Sequence, residues 1–245
     1  MVIFPNAKIN LGLHVVAKRA DGYHDIETVF YPFDALTDAL EIIPAKQLSF
    51  SSNGIDIPGS AEHNLCMKAY SLLAKDYKLS PLSVHLFKHI PIGAGLGGGS
   101  ADGAYMLRLL NAFFGLQMTE ETLASYAEEL GSDCPFFIYN RPVLATGRGT
   151  IFEPCIVDLS RYFIALVCPP IHVSTQQAYA GVSPKIPAES LKELLQMPAP
   201  KWKGRVVNDF EKSVFSQFPD LMKLKEKLYE AGAVYAAMSG SGSAL

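Results

Sequence analysis

Six glycines fall within twelve residues, GAGLGGGSADGA, Gly93 through Ala104. Glycine at that density is backbone chemistry: without a Cβ the chain reaches φ > 0, and an anion's oxygens can approach the peptide N–H groups. The stretch follows a strand-like run, Ser83–Ile90, and precedes a segment in which Ala104, Leu107, Leu110 and Phe114 recur at helical spacing. A strand, a glycine loop and a helix starting near Ser100 would aim N–H groups and the helix's positive end at one point, which suits a phosphate.

Two familiar phosphate loops fit poorly. Gly93-x-Gly95-x-x-Gly98 spells the dinucleotide fingerprint, but the acid-tipped second strand that reading requires is replaced by TEETLASYAEEL, helical in period and caps. A Walker loop would run from Gly93 to Ser100 and place Gly99 where its lysine belongs. The backbone must therefore hold the phosphates, and another cation must balance them. A merely tight or flexible loop is the remaining alternative.

Asp133 stands in GSDCPFF, an apolar setting in which an idle carboxylate is costly to bury, although a turn aspartate bonding its local backbone fits as well. In PNAKINLGLHVV, Ala7, Ile9, Leu11 and Leu13 alternate with Lys8, Asn10, Gly12 and His14, the pattern of a half-buried strand. Lys8 and Asn10 then share the polar face, roughly 7 Å apart. A solvated strand lysine is the plain reading of Lys8.

The whole chain narrows the partners. Its 245 residues are 49% apolar and 18% charged, with net charge −3 and no basic run longer than Lys18-Arg19. That leaves no electrostatic footprint for nucleic acid or an anionic membrane, and favours a small-molecule ligand. Cys66, Cys134, Cys155 and Cys168 form no CxxC pair, the opening lacks a leader pattern, and Pro169-Pro170 break the longest apolar run. A cytoplasmic protein with reduced thiols is expected.

The elements that must position these groups are expected as follows. A turn at Asp21-Gly22 returns the first strand, and short strands at 38–43 and 48–52 lead to a helix over 62–77. Another helix covers 119–130. Beyond Asn140 come strands over 143–152 and 161–168, helices near 174–180, 188–196 and 208–230, and a last strand running into MSGSGSAL. The division expected is 1–145 and 146–245. A strand should follow the final glycines, so the chain is expected to be shortened at Leu245.

PIGAGLGGGSADGA, Pro91–Ala104, resembles the nucleotide loop of the GHMP kinases. PNAKINLGLHVVAKRADGYHDIETVF (Pro5–Phe30), GSDCPFF and MSGSGSAL are similar to the branch of that family whose acceptor is a cytidylylated methylerythritol. The resemblance implies an α+β two-domain GHMP kinase fold, with an N-terminal domain like ribosomal protein S5 domain 2 and a C-terminal ferredoxin-like α/β sandwich. It implies ATP and Mg²⁺, and transfer of phosphate to a 2-hydroxyl in isoprenoid-precursor synthesis. On it, Pro91, Ile92, Gly93, Ala94, Gly95, Leu96, Gly97, Gly98, Gly99, Ser100 and Ala101 hold ATP, with Asn64 and Leu65 near the adenine. Lys8 and Asp133 face the attacking hydroxyl. Asn10, Tyr23, His24, Thr175 and Tyr179 take the acceptor, the aromatic groups packing on its cytosine.

Position 101, often serine in related kinases, is Ala101, and the protein ligands of the metal stay open. The partner implied is a cytidine diphosphate sugar alcohol, with no nucleic acid and no membrane, for a monomer or homodimer. Two rivals stand beside this reading: a GHMP kinase for homoserine or mevalonate, and a catalytically idle nucleotide-binding protein.

Overall fold

The protein is described by a computed structural model covering residues 1–245. Its strands are β1 (Val2–Ile3), β2 (Asn6–Lys18), β3 (His24–Thr37), β4 (Ala39–Pro44), β5 (Ser49–Gly54), β6 (Leu82–Lys88), β7 (Val143–Thr146) and β8 (Ile151–Pro154). Its α-helices are α1 (Leu65–Asp76), α2 (Gly98–Phe114), α3 (Glu120–Leu130), α4 (Cys134–Tyr139), α5 (Thr175–Ala180), α6 (Leu191–Leu194), α7 (Phe210–Gln217) and α8 (Pro219–Glu230). Two compact units share the chain in alternating pieces. One is Met1–Lys8, Pro32–Ile92 and Gly97–Arg141; the other is Ile9–Tyr31, Gly93–Leu96 and Pro142–Leu245.

The first unit is built on a sheet in the order β1-β4-β6-β5, with β4 antiparallel and β5 parallel to β6. A parallel neighbour needs a crossover, and α1 supplies it. Along β6 the alternation LSVHLFK sends Leu82, Val84, Leu86 and Lys88 inward. The apolar three meet a core that includes Leu40, Ile42, Leu73, Leu107 and Phe136, all out of water. Asn64 caps α1, its side chain accepting from Cys66 N at 2.9 Å, so the helix expected from residue 62 starts at Leu65 after a short 3₁₀ turn.

The second unit carries the sheet β2-β3-β7-β8 and the helices from α5 onward. Leu13, Val15, Val173, Phe210, Val214, Leu221 and Met238 form a buried cluster in it. No helix of the chain is long and apolar enough to cross a membrane.

Six sequence expectations need correction. The single strand expected over 143–152 is two, β7 and β8, paired antiparallel across a turn at 147–150. β2 is buried from Asn6 through Val15, so it is no half-buried strand: its polar positions are enclosed as well. The strand expected over 161–168 and the last strand before MSGSGSAL form no ladder; Val167 and Leu245 exchange a single pair of backbone hydrogen bonds at 2.9 and 3.0 Å. Apolar residues there have strand propensity, but a strand also needs a partner run, and Pro169-Pro170 remove two donors. The helix expected over 208–230 divides at Phe218, because Pro219 cannot continue α7 and opens α8 instead. The helix over 188–196 contracts to the single turn of α6.

Candidate active site

Within the first unit, Lys8 and Asp133 meet. Lys8 leaves β2 fully enclosed, and its Nζ lies 3.6 Å from Asp133 Oδ2, whose side chain is 36% exposed. Asp133 occupies the N-cap position of α4 but makes no side-chain cap bond, which removes the turn-aspartate alternative. Burial lowers the Lys8 pKa from its ordinary value, and the Asp133 charge opposes that shift. The pair thus joins a buried ammonium to a carboxylate that stays partly open to water.

The second half of the glycine loop lies against this pair. Gly97 has φ +70°, and a Cβ there would stand 3.1 Å from Lys8 Cγ and 2.9 Å from Phe137 Cζ. Gly99 has open space around it. Ser100 hydrogen-bonds Cys134, whose thiol burial pushes up to about 12, so this cysteine is packing and not a nucleophile at neutral pH. Ala101 is buried in α2. Leu65 packs on Gly103, its Cβ 2.9 Å from where a Cβ on Gly103 would be, and Asn64 spends its carbonyl on the α1 cap.

The first half of the loop, Gly93–Leu96, belongs to the second unit, where the last residues of the chain hold it. Ser239 Oγ accepts from Asn10 N at 3.1 Å and donates to the Gly95 carbonyl at 3.0 Å. Gly95 has φ +79°, and a Cβ on it would collide with the Ser239 carbonyl oxygen. Ala244 N donates to Ala94 O. Asn10 Nδ2 reaches Thr28 Oγ1 at 2.8 Å, and Thr28 in turn donates to Gly12 O. Asn208 Nδ2 clamps the carbonyls of Met238 and Gly240, each at 2.8 Å. Sequence reasoning took the segment at Asn208 as a helix start only. Oδ1 of Asn208 does accept from Phe210 N, and the clamp comes in addition.

The expected acceptor residues also fall in the second unit. The His24 ring stacks on Tyr179, centroids 4.7 Å apart and planes at 23°, and Tyr179 meets Phe210 edge-on. Tyr23 is 54% exposed and carries the Arg148 guanidinium 3.6 Å over its ring. Asp21 accepts from Tyr23 N and from Arg19, which also reaches Asp25, so the turn presenting Tyr23 and His24 is cross-tied. Thr175 is the first residue of α5, exposed beside a capping box formed by Ser174 and Gln177. A flat base between His24 and Tyr179 requires these rings to part. Arg148 escaped the sequence reading; the glycines on either side of it, marking a tight turn that lifts one cation, were the available signal.

Known proteins resemble the chain over its whole length. The profile of the GHMP kinases N terminal domain matches residues 64–141, and that of the GHMP kinases C terminal domain matches residues 185–245. The chain is 53% identical over 246 residues to the 4-diphosphocytidyl-2-C-methyl-D-erythritol kinase of Azobacteroides pseudotrichonymphae, covering 100% of this chain and 92% of that one. It is 53% identical to the protein of that name from Parabacteroides distasonis, covering 100% and 90%. A crystal structure of 4-(cytidine 5'-diphospho)-2C-methyl-D-erythritol kinase superposes with a TM-score of 0.79 at 32% identity, covering 100% of this chain and 88% of that one. The mevalonate kinase of Methanococcus jannaschii shares the fold, with a TM-score of 0.70 at 13% identity and coverage of 99% and 87%.

Proposed function

The chain belongs to the GHMP kinases, and within them to the family of the 4-diphosphocytidyl-2-C-methyl-D-erythritol kinases, and on that membership we propose that it moves the γ-phosphoryl group of ATP to the 2-hydroxyl of that acceptor. The observation that carries the reading is the Lys8–Asp133 pair set against Gly97 of the loop. Residues 1–145 and 146–245 are then its two domains in the family's sense, a reading supported by where the two family profiles match.

Phosphoryl transfer passes through a loose transition state, so positioning and neutralisation of charge supply most of the acceleration. The loop's N–H groups, kept open by Gly93, Gly95, Gly97 and Gly99, cradle the phosphates. Asp133 orients the attacking hydroxyl. As its oxygen bonds to the γ-phosphorus and the β–γ bridge breaks to leave ADP, the hydroxyl proton passes to Asp133. Lys8, 3.6 Å from Asp133, adds a positive charge beside the migrating group.

Mg²⁺ fits this arrangement as a phosphate-borne ion. The chain offers no cluster of three carboxylate, histidine or cysteine ligands, and Mg²⁺ bound to a nucleotide takes most of its ligands from phosphate and water. When bound with the nucleotide it would supply positive charge against the charge that develops on the phosphates. Tyr23, His24, Thr175 and Tyr179 would receive the cytidine end, with Asn10 near the sugar alcohol. On the same kinase reading we place the enzyme in the cytoplasm, as a monomer or homodimer.

The test is an assay of the purified chain with ATP, Mg²⁺ and three acceptors: the cytidylylated methylerythritol, homoserine and mevalonate. Transfer to the first alone is expected. Efficient transfer to homoserine or mevalonate would overturn the acceptor, and ATP binding with no transfer to any would make the chain an idle nucleotide binder.

A further inference from the structure

Apart from the reacting pair, the first unit buries three more charged side chains together, at the foot of the glycine loop. Lys88 Nζ donates to Asp38 Oδ2 at 2.5 Å and to Asp102 Oδ2 at 2.7 Å, with all three side chains almost completely enclosed. Asp38 uses its other oxygen to accept from the backbone N–H of His89 at 2.6 Å and of Ile90 at 2.8 Å, the two residues that lead into Pro91. Asp102 lies in the second turn of α2, on the far side of the loop. Lys88 therefore joins the chain going into the loop to the helix coming out of it.

The contact with the loop itself is direct. A Cβ on Gly98, the first residue of α2, would stand 2.9 Å from Lys88 Nζ and 2.8 Å from Ile90 Cγ2. The ammonium thus sits immediately behind the first turn of α2. The other inward positions of β6 are Leu82, Val84 and Leu86, so apolar packing would close this sheet onto α2 at lower desolvation cost than three ionisable groups. What an apolar residue cannot do is reach both carboxylates and two backbone amides at fixed distances. Burial lifts the Asp102 carboxyl to about 8, against the pull of Lys88. Asp38, Lys88 and, across the α1 boundary, the Cys66 thiol are the groups facing Asp102.

We propose that Asp38, Lys88 and Asp102 are positioning residues for the nucleotide, a brace that fixes both ends of the phosphate loop in the shape that receives ATP. The proposal rests on the kinase reading above only in taking the loop's ligand to be ATP. Loss of the brace leaves the loop to reorder at each binding event, so affinity for the nucleotide falls while the acceptor side is untouched.

Binding of Mg²⁺ with the non-hydrolysable ATP analogue AMP-PNP, and separately of CDP, can be measured by calorimetry on the whole chain. Lys88→Met is expected to weaken AMP-PNP binding tenfold or more and CDP binding by less than twofold. Leu73→Ala, a core truncation in the same unit away from the loop, is the control for lost stability and should leave both within twofold. Equal losses for AMP-PNP and CDP in Lys88→Met, or an AMP-PNP loss no greater than that of Leu73→Ala, would overturn the brace. If Lys88→Met does not fold, Asp102→Asn and Asp102→Leu decide. Asparagine still accepts from Lys88 and should stay within threefold of wild type, whereas leucine should lose tenfold; equal affinities in the two variants refute the proposal. A wild-type chain that binds AMP-PNP and not CDP would sink the acceptor reading and leave the brace testable as stated.

Discussion

Lys8 Nζ lies 3.6 Å from Asp133 Oδ2, the lysine enclosed and the aspartate open to water along one edge. An ion pair whose anion alone is exposed leaves that anion a face for a third group. Asp133→Asn keeps the shape and removes the proton acceptor, so kcat should fall on the order of 10²–10⁴-fold, with ATP binding nearly intact. Stopped-flow or steady-state kinetics at saturating substrates would check this. A near wild-type kcat would show that Asp133 takes no part in the proton transfer. Lys8→Ala should cost turnover more than acceptor affinity.

The stacked His24 and Tyr179 rings give the acceptor its own test. A base resting on an aromatic ring gains roughly 1–3 kcal/mol, on the scale of alanine substitutions in nucleic-acid systems. Tyr179→Ala should therefore raise the acceptor KM by about ten- to a hundredfold, at 1.4 kcal/mol per tenfold, and leave the KM for ATP almost unchanged. The uridine analogue should be a much poorer substrate, because groups paired to cytosine's edge are left unpaired. Equal turnover of the two analogues would argue against base readout.

Ser239 ties Asn10 to the Gly95 carbonyl. Ser239→Ala removes two hydrogen bonds of ordinary strength, about 1 kcal/mol each, and should raise the KM for ATP roughly five- to thirtyfold. Gly95→Ala should do worse, since it adds a collision and a strained φ to the same place. ATP titration of both variants would rank them, and a milder effect for Gly95→Ala would contradict the close approach.

Asp102 predicts a pH dependence of stability with a definite sign. Its folded pKa, about 8, is raised above the ordinary 3.8, so the folded chain keeps a proton that the unfolded chain has given up. Stability from this group is fully present below about pH 4, declines as pH climbs toward 8, and is flat above that. Asp102→Asn cannot titrate and should flatten the decline. Urea unfolding at pH 5, 7 and 9 would show it, and parallel curves for variant and wild type would refute it.

Much of the site was written locally in the chain. The glycines of the loop announce a close backbone approach, which Gly95 makes to the Ser239 carbonyl, whereas GSDCPFF sets a carboxylate among apolar residues and yet Asp133 stays 36% exposed. The alternation of SVHLFKHI even puts Lys88 on the inward face with Leu82, Val84 and Leu86, although a lysine there was not read as buried. The rest depends on partners far along the sequence. His24 against Tyr179, Gly95 against Ser239 and Lys88 against Asp38 are pairings that no window of periodicity contains. The strand expected over 161–168 failed for the same reason, since propensity speaks for the segment and not for its neighbour.

The alternating division of the chain sets an order of events during synthesis. Every piece of the first unit has been made once Arg141 leaves the ribosome, so Lys8 and Asp133 can already meet. The Phe30↔Val143 pair of the second unit waits for a strand made about a hundred residues later. Gly93–Leu96 must wait longer still, until Asn208 and Ser239 have been added. A chain that stopped before Met238 would keep Lys8 and Asp133 together but lack the ties of Asn208 and Ser239 around Gly93–Leu96, so on the kinase reading proposed above it should bind ATP poorly.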